Sequence, residues 1–406
     1  MESSLNVLTM NVWGVRMPIL GSKLIDQRIS AIAELVNKNN YDVVIFQELF
    51  DSKDQVALSC KLIDSFPHTH SFHGSWIGTG LVVFSRYPIV ETMFHAYPVN
   101  GHAHKIFHGD WYAGKGCALA VLKVNELTIN LYITHMHARY NLKKELDEYA
   151  GHRAHQALYL SQFIKHTSSS CDAVLAAGDF NSTPNEVAYK VIRSNAVLDD
   201  AWLLKNMDGS HTRGYTSDTP GNCFTPPSVT AELPEGQRID YIFYRANEQT
   251  ALRLESSRVL TDKIPGTDID YSDHYGLEAK MFVKRSLTAG QVPNLDVGVR
   301  QGCLKDISLV LDEGAKRARS SKYYYFVTMI LCLMVLLLCR ERYTGNAGNF
   351  LHTLLEMLQG VLAVMSGLSL WTWFITCICE ENEFRAAKGH VEKLLKAGSV
   401  SRVKKE

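Results

Sequence analysis

Polar residues that could bind a metal ion or transfer a proton stand at the ends of several short apolar segments. Their complete set, in chain order, is Met10-Asn11, Gln47-Glu48, Thr134-His135-Met136-His137, Gly178-Asp179-Phe180-Asn181, Arg238-Ile239-Asp240-Tyr241 and Ser272-Asp273-His274. No one of these motifs is specific by itself. A β-sandwich, however, presents the ends of its strands at one rim, so their order predicts a single site made of carboxylates, amides and histidines.

Such a set suits the hydrolysis of a phosphodiester, whose negative charge repels hydroxide. The reaction needs a cation on the phosphoryl oxygens, a base for the attacking water and stabilisation of the leaving group. Mg²⁺ prefers carboxylate and amide oxygens, so Glu48 and its expected neighbour Asn11 are candidate ligands. A lone glutamate after a strand is often only a solvated loop residue. The prediction that Glu48 binds a metal therefore depends on the other motifs.

Asp179 and Asn181 are two residues apart, so on an extended chain both side chains would face the same way. One of them would orient a water molecule or a histidine while the other binds phosphate. The alternative is an Asx-type turn that caps the helix after Thr183-Pro184.

His135 and His137 share a face of an extended segment in the same way, which makes a zinc site an alternative to be considered. No third His or Cys accompanies them at metal-binding spacing. The simpler interpretation is one histidine that acts as phosphate donor or general acid, beside a second that only packs.

Asp240 and His274 form a candidate acid–base pair. A general-base histidine works best when a carboxylate holds its far nitrogen and stabilises the imidazolium that forms. Asp240 lies in a run that is otherwise apolar, where a carboxylate without a partner would be costly. The other histidines, notably His95, His102, His104 and His108, are expected to be surface or packing residues.

Eight strand-like segments and three helical ones account for most of residues 1–285. Each strand-like segment is rich in Val, Ile, Leu, Phe or Tyr and stops at Gly, Asn, Asp or Ser. They are Leu5–Val12, Asp42–Phe46, Leu81–Phe84, Cys117–Val124, Thr128–Ile133, Val174–Ala177, Arg238–Tyr244 and Gly276–Val283. Apolar residues at helical spacing predict helices around Ile25–Val36, Leu146–Ile164 and Val187–Ile192. This alternation predicts a two-sheet sandwich flanked by helices.

The C-terminal part of the chain predicts a membrane anchor. Residues 286–322 form a linker that ends in a basic segment, Lys316-Arg317-Ala318-Arg319-Ser320-Ser321-Lys322. Uncharged runs of 17 residues at 323–339 and 23 residues at 357–379 follow, and a membrane span needs about 17–25 apolar residues. We therefore expect a transmembrane hairpin over 323–379 and a basic tail over 380–406. The alternative is a pair of buried core helices.

Basic residues indicate the orientation of this anchor. Four precede the first span and four follow the second, at Arg385, Lys388, Lys393 and Lys396, whereas the connection has only Arg340 and Arg342. Both termini are therefore expected on the cytoplasmic side. The short first span favours a thinner membrane such as the endoplasmic reticulum over other intracellular membranes or the plasma membrane.

Composition agrees with a cytoplasmic domain. The 42 basic and 42 acidic residues balance, whereas a nucleic-acid partner would normally leave a basic excess. Met1-Glu2-Ser3-Ser4 lacks the character of a signal peptide. The chain has nine cysteines, and those within residues 1–285 show no paired spacing. We expect reduced thiols and no nucleic-acid partner.

These motifs, in this order, resemble the endonuclease/exonuclease/phosphatase superfamily over residues 5–283. Within it the chain looks most like the smaller, membrane-bound animal neutral sphingomyelinases. The motifs that carry this likeness are Met10-Asn11-Val12-Trp13-Gly14, His108-Gly109-Asp110-Trp111-Tyr112-Ala113-Gly114-Lys115-Gly116, Thr134-His135-Met136-His137-Ala138-Arg139-Tyr140 and Arg238-Ile239-Asp240-Tyr241-Ile242, together with the twin C-terminal spans.

The resemblance implies a fold, a reaction and a role for each matching residue. The fold would be a deoxyribonuclease-I-like four-layer α/β sandwich over residues 1–285, and the reaction Mg²⁺-dependent cleavage of sphingomyelin to ceramide and phosphocholine. The implied roles are metal ligation by Glu48, Asn11 and Asp273, general-base catalysis by His274 held by Asp240, positioning of water and phosphate by Asp179 and Asn181, and help to the leaving oxygen from His135. Lys115 is a candidate phosphate contact, and His137 has no assured role.

Alternatives remain open. Lyso-phosphatidylcholine or lyso-platelet-activating-factor lipids present the same phosphodiester, and the base, metal and phosphate groups do not contact the lipid backbone. A Mg²⁺-dependent nuclease and an inactive membrane scaffold belong to other classes. Sphingomyelin is the expected partner, with anionic phospholipids at the basic juxtamembrane segment.

Overall fold

The computed structural model describes residues 2–17, 21–205, 214–286, 297–341 and 349–403. The chain divides into two compact units. The first comprises residues 1–100 and 110–307, and the second comprises residues 101–109 and 308–406. All six polar motifs of the sequence lie in the first unit.

The first unit contains two β-sheets. In chain order the strands of the described residues are β1 (Ser3–Asn11), β2 (Val43–Gln47), β3 (His68–Ser71), β4 (Val82–Ser85), β5 (Ile89–Ala96), β6 (Gly116–Val124), β7 (Leu127–His135), β8 (Ala173–Asp179), β9 (Asp199–Asp200), β10 (Asp240–Ala246), β11 (Thr250–Leu260) and β12 (Gly276–Arg285). The spatial order is β11-β12-β1-β2-β4-β3 in the first sheet and β5-β6-β7-β8-β10-β9 in the second. Two pairs, β1 with β2 and β7 with β8, are parallel.

Four helices cover the outer faces of the sheets, namely α1 (Ile25–Lys38), α2 (Ser52–Leu62), α4 (Ala150–Thr167) and α5 (Val187–Ala196). The short helices α3 (Asp110–Ala113), α6 (Ala201–Lys205) and α7 (Pro227–Glu232) lie in connections between strands. One apolar core lies between the sheets and includes Leu5, Ile45, Leu131, Leu175 and Ile242. A second core packs α1 and α2 on the first sheet, and a third packs α4 and α5 on the second. The result is the four-layer α/β sandwich that the sequence predicts.

The second unit is helical. Helix α8 (Val297–Glu341) enters it from residue 308, α9 (Asn349–Trp371) leads through a π-helical turn at Thr372–Ile378, and α10 (Cys379–Val403) follows. Val297–Cys339 and Thr353–Gly398 each contain a stretch long and apolar enough to cross a membrane. Only 6% and 25% of these stretches are buried, which disfavours the alternative of a buried core helix pair.

Residues 297–322, which the sequence predicts as a linker, begin α8 and are helical throughout. The basic segment within them is ion-paired. Lys316 lies 3.2 Å from Asp312 and Arg317 lies 3.4 Å from Glu313, both one helical turn away, whereas Arg319 and Lys322 approach the buried Glu381 of α10 at 2.9 and 2.6 Å.

All eight strand-like segments coincide with strands, and the three helical patterns coincide with α1, α4 and α5. Leu146 and Tyr149 precede α4, which begins at Ala150, because a 3-10 turn at Lys144–Leu146 and an irregular stretch intervene. The sequence patterns did not predict β3, β5, β9 and β11. These four are the edge strands of the two sheets.

Candidate active site

The polar motifs meet at one rim of the sandwich. Asn11, His135 and Asp179 are the last residues of β1, β7 and β8, and Glu48 directly follows β2. Asp240 instead begins β10 and His274 precedes β12, because these strands run antiparallel to their neighbours. In the second sheet Asp179 is in register with both His135 and Asp240. Each sheet therefore contributes half of the site.

The backbone is strained where the strands of the rim end. Trp13, Glu48 and Asn181 have φ values of 46°, 59° and 47°, in the left-handed region that non-glycine residues rarely adopt. Such strain concentrates at functional sites, where the surrounding structure holds it. For Glu48 part of that support is a hydrogen bond of 3.0 Å from the amide of Gly14 to its carbonyl oxygen. A Cβ on Gly14 would lie 2.5 Å from that oxygen, so this position requires glycine.

Carboxylates from both sheets share a buried space. The Asn11 amide joins them, since its Nδ2 donates to Glu48 Oε1 at 3.0 Å and to Asp179 Oδ2 at 3.1 Å. Burial and then the charge of Asp240 raise the pKa of Asp179 to about 7. Burial raises the pKa of Asp273 to about 6, although His274 opposes the shift, and the charge of Glu48 adds to it. Carboxylates that raise one another's pKa lack a compensating cation, so this donor set fits a divalent metal.

The orientation of Asn11 bears on its predicted role as a ligand. Its Oδ1 accepts a hydrogen bond of 3.0 Å from the amide of Trp13, and its Nδ2 faces the two carboxylates. In this arrangement Asn11 positions Glu48 and Asp179. Ligation of a metal by Glu48, Asn11 and Asp273 stays a prediction.

His274 and Asp240 form the acid–base pair that the sequence predicts. Asp240 Oδ2 lies 3.0 Å from His274 Nδ1, and the other ring nitrogen, Nε2, lies 4.0 Å from Asp179 Oδ2. Burial by itself would lower the pKa of His274, but the ion pair and hydrogen bond with Asp240, and then Asp179, raise it well above its ordinary value. The geometry leaves Nε2 to face the shared space, as a base that takes a proton from water requires.

A second charged network surrounds His135. The Lys115 ammonium lies 2.5 Å from His135 Nε2 and 2.7 Å from Asp110 Oδ1, and Lys115 is only 3% exposed. His135 Nε2 is also 3.4 Å from Asp179 Oδ2. Burial and the charge of Lys115 lower the pKa of His135 well below its ordinary value. The imidazole is therefore neutral, and the positive charge at this side of the site resides on Lys115.

His137 lies on the far side of the same network. Its ring stacks on Tyr149 with 3.9 Å between centroids, its Nδ1 donates to the carbonyl of Ala138, and Asp110 Oδ2 is 3.5 Å away. Burial lowers the pKa of His137 to about 4. The Lys115 ammonium at His135 Nε2 and the carbonyl of Ala138 at His137 Nδ1 disfavour a zinc ion at these two nitrogens.

Asn181 does not follow the extended geometry that the sequence suggested. The chain turns after β8, and the amide of Asn181 donates to Asp179 Oδ1 at 2.9 Å, which is the Asx-type turn of the alternative interpretation. The Asn181 side chain donates to the carbonyl of Met136 at 2.9 Å. Asn181 thus ties the end of β8 to the segment after His135, and its phosphate contact stays a prediction.

Sequence reasoning missed two residues that support the site. Asp110 lies in a quoted motif but had no role, and it holds Lys115. Arg28 is fully buried, and its guanidinium donates to the carbonyls of Val12, Trp13 and Tyr271 at 2.7, 2.8 and 3.1 Å. It thereby joins the segment after β1 to the segment that leads into His274. The available signal was an arginine within the apolar stripe of α1.

Comparison with known proteins places this architecture in a class. Residues 8–274 match the model of the Endonuclease/Exonuclease/phosphatase family. The chain belongs to that family.

Two relatives and one solved structure are similar to this chain over most of its length. A putative neutral sphingomyelinase of Caenorhabditis elegans is 32% identical over 96% of this chain and 91% of its own length. Sphingomyelin phosphodiesterase 2 of Homo sapiens is 33% identical over 85% of this chain and 81% of its own length. The solved structure of sphingomyelinase C from Streptomyces griseocarneus, at 19% identity, has a TM-score of 0.50 over 68% of this chain and 99% of that chain, which supports the fold.

The raised pKa values predict how stability depends on pH when the protein is free of metal. Folded Asp179 and His274 keep protons at pH values where an unfolded carboxyl or imidazole, with ordinary pKa values of 3.8 and 6.5, has lost them. The folded state then binds more protons than the unfolded state, so the free energy of unfolding falls as pH rises. Between about pH 7 and pH 8 in EDTA, we expect the midpoint of thermal unfolding to fall by roughly 2–4 °C.

This pH range avoids the opposite contribution of His135 and His137, whose unfolded forms are already neutral above about pH 7. His274→Asn should flatten the slope, and His166→Asn, at an exposed position, should not. Circular dichroism at 222 nm would follow unfolding. A midpoint that rises with pH in the parent protein would contradict the pKa directions.

Proposed function

We propose that this protein is a Mg²⁺-dependent phospholipase C-type enzyme that hydrolyses sphingomyelin to ceramide and phosphocholine at a membrane surface. The observation that carries the proposal is the rim where Glu48, Asp179 and Asp273 face the Asp240–His274 pair. Two relatives that share more than four-fifths of this chain are named for sphingomyelin hydrolysis. The apolar helices of the second unit suit a substrate that resides in a membrane.

Divalent metal use accords with the family and with the donor set. Glu48 and Asp273 would hold the cation, with Asn11 beside them. A bound cation would offset the charge of the phosphate and polarise its oxygens. Carboxylate and amide oxygens are the ligands that Mg²⁺ prefers, whereas Zn²⁺ sites are usually built from thiolates and imidazoles, so this donor set favours Mg²⁺. Turnover after dialysis against EDTA and addition of Mg²⁺, Ca²⁺ or Zn²⁺ tests this choice, and restoration by Zn²⁺ alone would contradict it.

His274 is the general base in this proposal. The raised pKa of His274 belongs to the metal-free protein, and a cation near Asp179 and Asp273 would offset carboxylate charges that raise it. The neutral Nε2 then takes a proton from water, the water oxygen bonds to phosphorus, and the bond from phosphorus to the ceramide oxygen breaks. Asp240 holds Nδ1 and stabilises the imidazolium. Asp179, 4.0 Å from Nε2, orients the water, and Asn181 keeps Asp179 in place and contacts the phosphate.

The leaving ceramide oxygen requires a positive charge or a proton. Lys115 and His135 are adjacent and face Asp179, so they would act on this oxygen together. Since His135 is neutral and its Nε2 accepts from Lys115, the imidazole holds the ammonium in place, and the ammonium donates a proton to the ceramide oxygen as the bond to phosphorus breaks. The proton that His274 took from water passes to solvent, from which Lys115 regains its own. Asp110 Oδ1, 2.7 Å away on the other side of Lys115, helps to hold the ammonium at this position.

Comparison of substrates tests the proposal directly. The purified full chain in detergent would be incubated with labelled sphingomyelin, lyso-phosphatidylcholine, lyso-platelet-activating factor and plasmid DNA. We expect phosphocholine from sphingomyelin, at a turnover above that of either lyso-lipid. Faster cleavage of a lyso-lipid would move the assignment to that substrate. Cleavage of DNA alone would indicate the nuclease, and cleavage of none the inactive scaffold.

Two variants separate the base from the metal ligand. Positioned proton transfer is worth about 10²–10⁴-fold in rate, so His274→Ala should lose that much turnover at every Mg²⁺ concentration. Glu48→Ala should lose activity at ordinary Mg²⁺ and recover part of it at high Mg²⁺, because its loss weakens affinity for the cation. The measurement is initial rate of phosphocholine release against Mg²⁺ concentration.

His166→Ala and Glu91→Ala serve as matched controls for these variants. Both residues are exposed in the first unit and should leave turnover unchanged. Near-normal turnover in a folded His274→Ala protein would instead assign the base to His135 or His137.

We place the first unit and both termini on the cytoplasmic side of an intracellular membrane or the plasma membrane, with 323–339 and 357–379 as the spans. The basic residues before the first span and the few in the connection support this orientation. Anionic lipids would contact Lys316 and Arg317, because their ion pairs with Asp312 and Glu313 in the preceding helical turn are exposed and weak. Protease protection of terminal tags in sealed vesicles tests the orientation.

The loop between β3 and β4 provides a contact with the lipid surface. Its Trp76 is 82% exposed and Ile77 is 40% exposed. The base of the loop adjoins the site, since the amide of Leu49 donates to the carbonyl of Gly80 at 3.1 Å. Tryptophan favours the membrane interface. Insertion of this loop would hold the rim of the sandwich against the lipid.

Trp76→Ala should therefore weaken the action on membranes and leave the chemistry intact. A large apolar side chain contributes about 1.5–3 kcal/mol on burial, so we expect a roughly tenfold higher half-saturating mole fraction of sphingomyelin in nanodiscs. Turnover of a monomeric short-chain sphingomyelin should not change, and Trp76→Phe should retain most of the effect. An equal loss on both substrates would contradict a role at the interface.

A further inference from the structure

A cavity of about 570 Å³ lies at the end of the second sheet that is opposite the active site. It is lined from the end of α4 and the turn after it, and from the segment that joins β10 to β11. The lining residues that matter are Lys165, Ser168, Asp172, Arg245, Glu248 and Thr250. Strand β8 runs from this end to Asp179, and its seven residues span roughly 20 Å. The cavity is thus separate from the catalytic rim.

Arg245 brings a positive charge to this cavity without a carboxylate to neutralise it. Its Nη1 donates to the carbonyl of Ala196 at 2.8 Å and its Nη2 donates to Ser168 Oγ. Within the described part of the chain no carboxylate pairs with it, and its buried Nε has no hydrogen-bond partner. Burial lowers the pKa of Arg245, as expected for a guanidinium in such surroundings.

Two more cations lie nearby. Lys165 lines the exposed mouth of the cavity and has no ion pair among the described residues. Partial burial and the charge of Arg300 lower the pKa of Lys165. Arg300 itself donates to the neutral amide oxygen of Asn195, at 2.9 and 3.2 Å, and has no ion pair within the described ranges. Cations that lie close together and form no ion pair with a carboxylate among the described residues attract an anion.

The acidic residues of the lining do not remove this excess. Asp172 is already engaged, since its Oδ2 accepts from the amide of Thr128 at 2.7 Å and its Oδ1 lies 3.6 Å from Arg285 Nε. Glu248 is exposed to solvent. Neither carboxylate forms an ion pair with Lys165 or Arg245 in the described residues.

An unpartnered hydroxyl points to the same conclusion. Thr250 is 1% exposed, lines the cavity, and its Oγ1 has no hydrogen-bond partner. Buried polar groups nearly always find a partner, so the Thr250 hydroxyl and Arg245 Nε indicate a missing one. The cavity exceeds the volume of one water molecule many times over and lies within the range of small-ligand sites, about 300–1,000 Å³.

We propose that this cavity binds a phosphate group, held by Arg245 and Lys165 and by the hydroxyl of Thr250. A guanidinium and an ammonium recognise a phosphate by charge-assisted hydrogen bonds, and Arg245 Nε and the Thr250 hydroxyl add donors. The group would come from a soluble phosphate compound or from the head group of a phospholipid. Its binding at the end remote from Asp179 does not depend on the proposed lipid hydrolysis.

Calorimetric titration of the full chain with inorganic phosphate tests the site. Detergent and EDTA would be present throughout, so that the catalytic rim lacks a cation to hold an anion. We expect saturable binding whose affinity falls about tenfold or more in Arg245→Gln and in Lys165→Gln. Loss of one hydrogen bond to a charged group typically weakens binding by at least about that factor. Lys38→Gln removes the same charge from an exposed position on α1 and should bind as the parent does.

A second variant and two sources of phosphate complete the test. Lys165→Gln changes an exposed residue at the mouth of the cavity and should keep its fold and its turnover, so it still tests the site if Arg245→Gln fails to fold. In nanodiscs of phosphatidylcholine alone, a site for soluble phosphate gives an Arg245-dependent rise in the midpoint of unfolding when phosphate is added. A site for lipid gives that rise only when phosphatidic acid is included. The absence of both responses, or equal binding by Arg245→Gln and Lys38→Gln, would overturn the proposal.

Discussion

The repulsion among buried carboxylates at one rim is the constraint on which the site depends. Glu48 and Asp273 belong to the first sheet, and Asp179 and Asp240 belong to the second. Because four negative charges so close together repel one another, positive charges or hydrogen-bond donors must offset the repulsion. Part of that compensation comes from the protein. Asn11 donates to two of these carboxylates and His274 pairs with Asp240. These contacts do not offset the whole repulsion, since the pKa values of Asp179 and Asp273 remain raised. A bound cation would supply the positive charge that is still needed.

The same constraint explains why the backbone is strained beside the site. Glu48 and Trp13 adopt left-handed conformations that cost free energy. The amide of Gly14 bonds to the carbonyl of Glu48, and Arg28 bonds to the carbonyl of Trp13. The guanidinium of Arg28 is buried without an ion pair in the described structure, yet three carbonyls from the segments after β1 and before β12 accept its hydrogen bonds. The charge of Arg28 also opposes the rise in the pKa of Asp273.

The sequence predicted the interior of this fold better than its edges. Strands buried on both faces, such as β2 and β8, are nearly continuous apolar runs that allow no other interpretation. The missed strands β3, β5, β9 and β11 lie at the sheet edges, where polar residues are tolerated. A bulge between Leu254 and Ser256 further breaks the alternation of β11. At the site, the Asp240–His274 pair followed from the cost of burying a lone carboxylate. The Lys115–His135 contact did not, because residues 20 apart meet there only through the pairing of β6 with β7.

The division of the rim between two sheets has a consequence for catalysis. The proposed metal ligands Glu48 and Asp273 belong to the first sheet, while Asp179, Asp240 and His135 belong to the second, and His274 is the first-sheet residue that reaches across to Asp240. The separation of the cation from the groups that orient the water and act on the leaving oxygen is therefore set by the apolar core between the sheets. Side chains such as Leu5, Ile45, Leu131 and Ile242 fill that core at full burial. Because protein interiors are close-packed, a change of volume there would alter the spacing of catalytic groups without touching any of them.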